Sequence, residues 1–120
     1  MTITFKKLIE ATDAFRKLSG QEMEIKKAVE VSRLLRKLEK ESEVYKENYT
    51  KLIKKYGKLT DEETGKYEFD EDAGKKFSEE VMKLLELECD IDSGKITIDD
   101  DVRLSAAQVI ALEDFIEFKE

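Results

Sequence analysis

The sequence predicts a mostly α-helical single domain: a helical hairpin with one long central helix, then a small C-terminal α+β part made of a short β-hairpin and two helices. Three observations carry this reading. The stretch from Glu22 to Gly57 holds no proline and no internal glycine, and its Ala28, Val31, Leu35, Leu38, Ser42, Tyr45, Tyr49, Leu52 and Tyr56 recur in steps of three and four. That 3.5-residue repeat marks a helix packed lengthwise on another helix. Single glycines then punctuate the patterned segments at Gly20, Gly57, Gly65, Gly74 and Gly94. Finally, 120 residues with 40% hydrophobic side chains suffice for one core but not two, while 42% charged residues point to a thin, extended shape.

The first element is short. Met1, Ile3 and Phe5 alternate with Thr2 and Thr4, a strand signal that passes at once into a helix whose face is Phe5, Leu8, Ile9, Thr12, Phe15 and Leu18. Ser19 and Gly20 close that helix, glycine being suited to a left-handed cap. So brief a connection to the long helix favours an antiparallel hairpin over residues 1–57. At about 1.5 Å per residue the long helix reaches roughly 54 Å, and the first helix covers less than half of it. The distal seam of Tyr45, Tyr49, Leu52 and Tyr56 therefore needs another cover. A second copy of the chain or the C-terminal helices would provide it, and the first of these predicts self-association.

Residues 58–74 read as a polar, acidic connection in which Tyr67 and Phe69 alternate as a short strand. Asp72 is placed to cap a third helix with the face Phe77, Val81, Leu84, Leu85 and Glu88. Beyond it Leu87, Cys89 and Ile91, then Ile96 and Ile98, alternate on either side of Asp92-Ser93-Gly94, a hairpin signal that MTITF could join as a third strand. Ser105 and Gln108 have capping-box spacing, and Val109, Ile110, Leu112, Phe115 and Ile116 predict a final helix running to the C-terminus.

Charge is split unevenly: residues 1–60 hold 15 Lys+Arg against 9 Asp+Glu, residues 61–120 hold 7 against 20. Either the acidic half folds back on the basic half, or one end of the molecule presents a negative field to a basic partner. On the second reading the partner surface is Glu68, Asp70, Glu71 and Asp72 together with Asp99, Asp100 and Asp101. The rival class is a nucleic-acid binder using the basic face Arg33, Arg36, Lys37 and Lys40, although Glu43 and Glu47 interrupt that stripe one turn later.

Chemistry is mostly excluded. Without histidine and with one cysteine, common zinc sites and histidine-activated nucleophiles cannot be assembled, and no glycine-rich phosphate loop is present. No cofactor is expected. The segment Asp90-Ile91-Asp92-Ser93-Gly94 imitates a calcium loop, but setting Gly94 at position 6 puts Cys89 and Ile91 at positions 1 and 3, where neither ligates calcium. Cys89 alone fits a reducing, cytoplasmic compartment and a place in the core, since Glu88 and Asp90 oppose its ionisation. Glu10 and Asp13 interrupt any export signal, and no apolar run is long enough to cross a membrane.

The opening MTITFKKL, the basic segment VSRLLRKLEKESEVYKENYTKLIKKYG, the break TDEETGKYEFDED and the closing ITIDDDVRLSAAQVIALEDFIEF together resemble small uncharacterised prophage proteins of Gram-positive bacteria. The resemblance covers most of the chain in style and order of elements, without a specific motif. It implies a phage-encoded protein of the host cytoplasm, without catalytic residues to carry over, that acts on protein partners. With the residues themselves it predicts a non-enzymatic interaction protein, either an accessory assembly factor or an inhibitor of a host or defence protein.

Overall fold

The computed structural model describes residues 1–98 and 102–118. It is mostly α, in the order β1 (Thr2–Thr4), α1 (Phe5–Ser19), α2 (Ile25–Tyr56), β2 (Lys58–Asp61), β3 (Lys66–Glu68), α3 (Glu71–Glu86), β4 (Glu88–Asp90), β5 (Ile96–Ile98), α4 (Ala106–Leu112) and β6 (Ile116–Phe118). The molecule measures 52 × 30 × 24 Å. Its long axis is close to the roughly 48 Å that 32 helical residues span at 1.5 Å each, so α2 sets the length.

The core, however, gathers around α1. Phe5, Leu8, Ala11, Thr12, Ala14, Phe15 and Leu18 are all buried, because α1 is packed against α2, α3 and α4. Long α2 buries only Val31, Leu34, Leu38 and Ser42. Leu34 lies deeper than the expected Leu35: a straight helix of 3.6 residues per turn drifts off a strict 3.5-residue seam. Phe15 and Phe115 meet edge to face, 5.8 Å between ring centres, and tie α1 to the C-terminal segment.

Capping fixes the helix starts. The Thr4 hydroxyl accepts from Lys7 N–H at 3.2 Å, and the Ser105 and Gln108 side chains form the expected capping box. Asp70, not Asp72, caps α3, accepting from Ala73 N–H at 2.7 Å. Gly20 ends α1 in the right-handed region (φ −80°), so the expected left-handed cap is absent; the chain leaves α1 by bonds from Gly20 and Gln21 N–H to Lys17 and Leu18 carbonyls.

Strand pairing departs from the expected hairpin over residues 87–98. β4 pairs antiparallel with β1, Ile3 opposite Cys89, and β5 pairs parallel with β6, Ile96 opposite Ile116. The alternation marked these strands and MTITF does join the one around Cys89, but the expected pairing of β4 with β5 does not form. Gly65 is the one positive-φ glycine among the described residues, so Gly94 lacks the conformation that a tight hairpin turn requires, and residues 91–95 let the two strands diverge. The tight hairpin is β2–β3, inside the stretch expected to be a connection with a short strand at Tyr67 and Phe69, and Gly65 (φ +67°) closes its turn. The last helix stops at Leu112 instead of reaching the C-terminus. Glu113 and Asp114 follow at a helix end where negative charge is unfavourable, and the chain turns to let Phe115 and Ile116 bury as β6 begins.

Candidate functional site

The end of the molecule beyond α2 is built from the β2–β3 hairpin and the first turn of α3. Every residue of β2 is exposed, and Leu59, 47% exposed, faces the half-buried Tyr67 across the ladder. The hairpin adds no residue to the hydrophobic core. Its turn is held from within: Asp61 Oδ1 accepts from Glu63 N–H at 3.0 Å, and the Thr64 hydroxyl and that amide hold the Asp61 carboxyl below its usual range.

The expected acidic surface is brought together here in part. Glu68, Asp70, Glu71 and Asp72 are all exposed, but not equivalent. Asp70 caps α3, Glu68 lies 3.9 Å from Lys66, and Glu71 and Asp72 sit in the first turn of α3, where the helix dipole favours them. Sequence reasoning missed the exposed Glu62 and Glu63 at the hairpin tip, which the run Asp61-Glu62-Glu63-Thr64-Gly65 signals as a turn. Asp99, Asp100 and Asp101 lie outside the described residues.

The distal α2 seam has a cover within the chain. Tyr45 stands between Phe5 and Tyr49, Tyr49 meets Phe77 of α3 at 5.6 Å between ring centres, and Phe77 stacks on Phe69 at 4.7 Å. Leu52 packs on the same core, and Tyr56 is half-buried with Lys55 over its ring. Burial raises the Tyr45 phenol above its usual value, with Tyr49 adding to the effect.

Arg33, Arg36, Lys37 and Lys40 are exposed on the outer face of α2. Lys37 Nζ donates to the Asp92 carbonyl at 2.6 Å, while Arg33, Arg36 and Lys40 form no ion pair among the described residues. The two halves of the chain touch through charge at two other places, the Met1 ammonium with Asp90 at 3.2 Å and Lys7 with Asp114. Hydrogen bonding to Asp114 is the main reason the Lys7 ammonium is held above its usual value.

Cys89 is buried opposite Ile3, and burial, followed by Glu41 and Asp90, pushes its thiol up. Such a thiol is a poor nucleophile. Among the described residues no three Cys, Asp or Glu side chains converge on a point where a metal could sit. No helix among them is long and apolar enough to cross a membrane. A feature the sequence did not disclose is an open groove of about 450 Å³ between α1 and α4, lined by Ala14, Ala107, Ala111 and Ile110 and edged by Glu10, Asp13 and Lys17. No protein-family model, curated protein or solved structure matches the chain.

Proposed function

We propose that this protein is a non-enzymatic interaction protein that presents the acidic end formed by the β2–β3 hairpin and the start of α3 to a basic surface on another protein. One observation carries the reading: a two-stranded hairpin with an exposed edge, an exposed Leu59 and acidic side chains at its tip contributes nothing to the core. An isolated two-stranded hairpin is marginal by itself, so its retention outside the core fits a recognition element. The resemblance to prophage proteins supplies the context, an assembly factor or an inhibitor in the host cytoplasm.

The variant Glu62→Gln with Glu63→Gln tests it, because neither carboxylate caps a helix or forms an ion pair among the described residues. Partners captured from host extract with the wild-type protein are identified, and association of each with both proteins is timed in rising salt. Slower association of the variant, with a smaller salt dependence, is expected. Unchanged rates would assign binding to another surface. Should DNA be the captured partner, loss of binding on Arg33→Glu with Lys37→Glu, combined with a steep salt dependence, would favour the basic face of α2 instead.

A further inference from the structure

We infer that the α1–α4 groove receives the first turns of α2 from a second copy of the chain. The surface that would enter is unusual for a soluble helix. Ile25 is 81% exposed and Val29, one turn on, is 42% exposed. Positions 25, 29, 32, 33, 36 and 40 share the outward side of a 3.6-residue helix, opposite the buried Val31, Leu34 and Leu38. Those six positions carry Arg33, Arg36 and Lys40 and no carboxylate. It is an apolar knob with a basic border.

The groove has the opposite character. Its floor is small and apolar, Ile110 stands 63% exposed in it, and Glu10 and Asp13, three residues apart, fall on one side of α1 as its edge. Lys17, which also lines the groove, engages Asp13 at 3.6 Å, so the edge keeps one net negative charge at Glu10, which forms no ion pair among the described residues. Apolar knob to apolar floor and basic border to acidic edge is a two-fold complementarity, and it lies within one sequence. The tyrosine seam of α2 offers no such match, since α3 already lies on it. Because knob and groove are different patches, the contact closes as a reciprocal pair if a two-fold axis relates them, and otherwise grows as a ring or chain.

Sedimentation equilibrium from about 10 µM to about 1 mM reads the association over the range expected of a small interface. The wild-type mass is expected to rise above 13.9 kDa with concentration. Ile25→Asp and Ile110→Asp, both at exposed positions, should each weaken association at least tenfold and leave the thermal midpoint within a few degrees of wild type. Two charge-reversed proteins complete the test. One carries Glu10→Lys and Asp13→Lys, the other Arg33→Glu and Arg36→Glu. Each alone should remain a monomer, and an equimolar mixture should associate again, because each basic border then finds an acidic edge. A wild type that stays at 13.9 kDa throughout overturns the inference. So does association that ignores Ile25→Asp and Ile110→Asp, or a mixture that fails to reassociate.

Discussion

The hydroxyls of Thr12 on α1 and Ser42 on α2 stand 3.2 Å apart inside the core, and each also reaches the carbonyl one turn back in its own helix. Thr12 Oγ1 lies 2.6 Å from the Leu8 oxygen and Ser42 Oγ 2.8 Å from the Leu38 oxygen. Two hydroxyl protons therefore serve three contacts, so one of them is shared. Removing either group leaves the other still satisfied by its own helix, and Ser42→Ala should cost only about 1 kcal/mol. Thr12→Val, which keeps the shape, should cost a similar amount. In the double mutant the losses should fall short of additive by about 0.5 to 1 kcal/mol, read from urea unfolding. Full additivity would show that the two hydroxyls do not interact.

Gly57 joins α2 to the hairpin under tight constraint. A Cβ there would stand 2.7 Å from the Ile53 carbonyl oxygen and 3.2 Å from both Phe69 and Tyr67. The first obstacle is backbone and cannot swing away. Gly57→Ala should destabilise by about 1 to 3 kcal/mol. Gly94→Ala, which meets nothing within 4 Å, is the control and should leave the denaturant midpoint almost unmoved.

Asp70 and Asp72 separate a structural carboxylate from a displayed one. Asp70→Ala removes the cap of α3 and should cost about 1 kcal/mol. Asp72→Asn removes only a favourable charge in the first turn and should cost about 0.3 to 1 kcal/mol at low salt, less as salt is added. Equal, salt-independent losses would contradict this division.

Alkaline pH should unfold the protein in stages. Cys89, Tyr45 and Lys7 all hold their protons more tightly in the folded chain than in the unfolded one. Their contributions are complete below the ordinary values of 9.0, 10.0 and 10.5 and are lost as pH rises through the higher folded ones. The melting temperature should fall from about pH 9 upward. In Cys89→Ala, whose starting stability is lower, the decline should begin about one pH unit later; an unchanged onset would remove the thiol from the account.

How far the fold could be read depended on whether its signal was local. Ser105 and Gln108 are capping residues whose partners lie three positions away, and the structure places them as the sequence does. Ala11 and Ala14 escaped notice because small side chains carry little hydropathy, though close helix packing needs them. The pairing of Ile3 with Cys89 and of Ile96 with Ile116 is decided by contacts far apart in the chain, which alternation within β4 and β5 cannot express. The candidate sites follow the same division. Exposed charge at Glu68, Glu71 and Asp72 was legible from composition, whereas the α1–α4 groove exists only once Ala14 and Ile110 are brought face to face.

The pairing of β1 with β4 also orders events for a nascent chain. Ile3 is synthesised 86 positions before its partner Cys89. At about 5 to 20 residues per second that is an interval of roughly 4 to 17 s. During it α1 and α2 can already close their hairpin, a local event on a microsecond scale, while β1 keeps an unpaired edge. Translation speed through the α3 region thus sets how long that edge remains open to a chaperone or to a neighbouring chain on the same messenger.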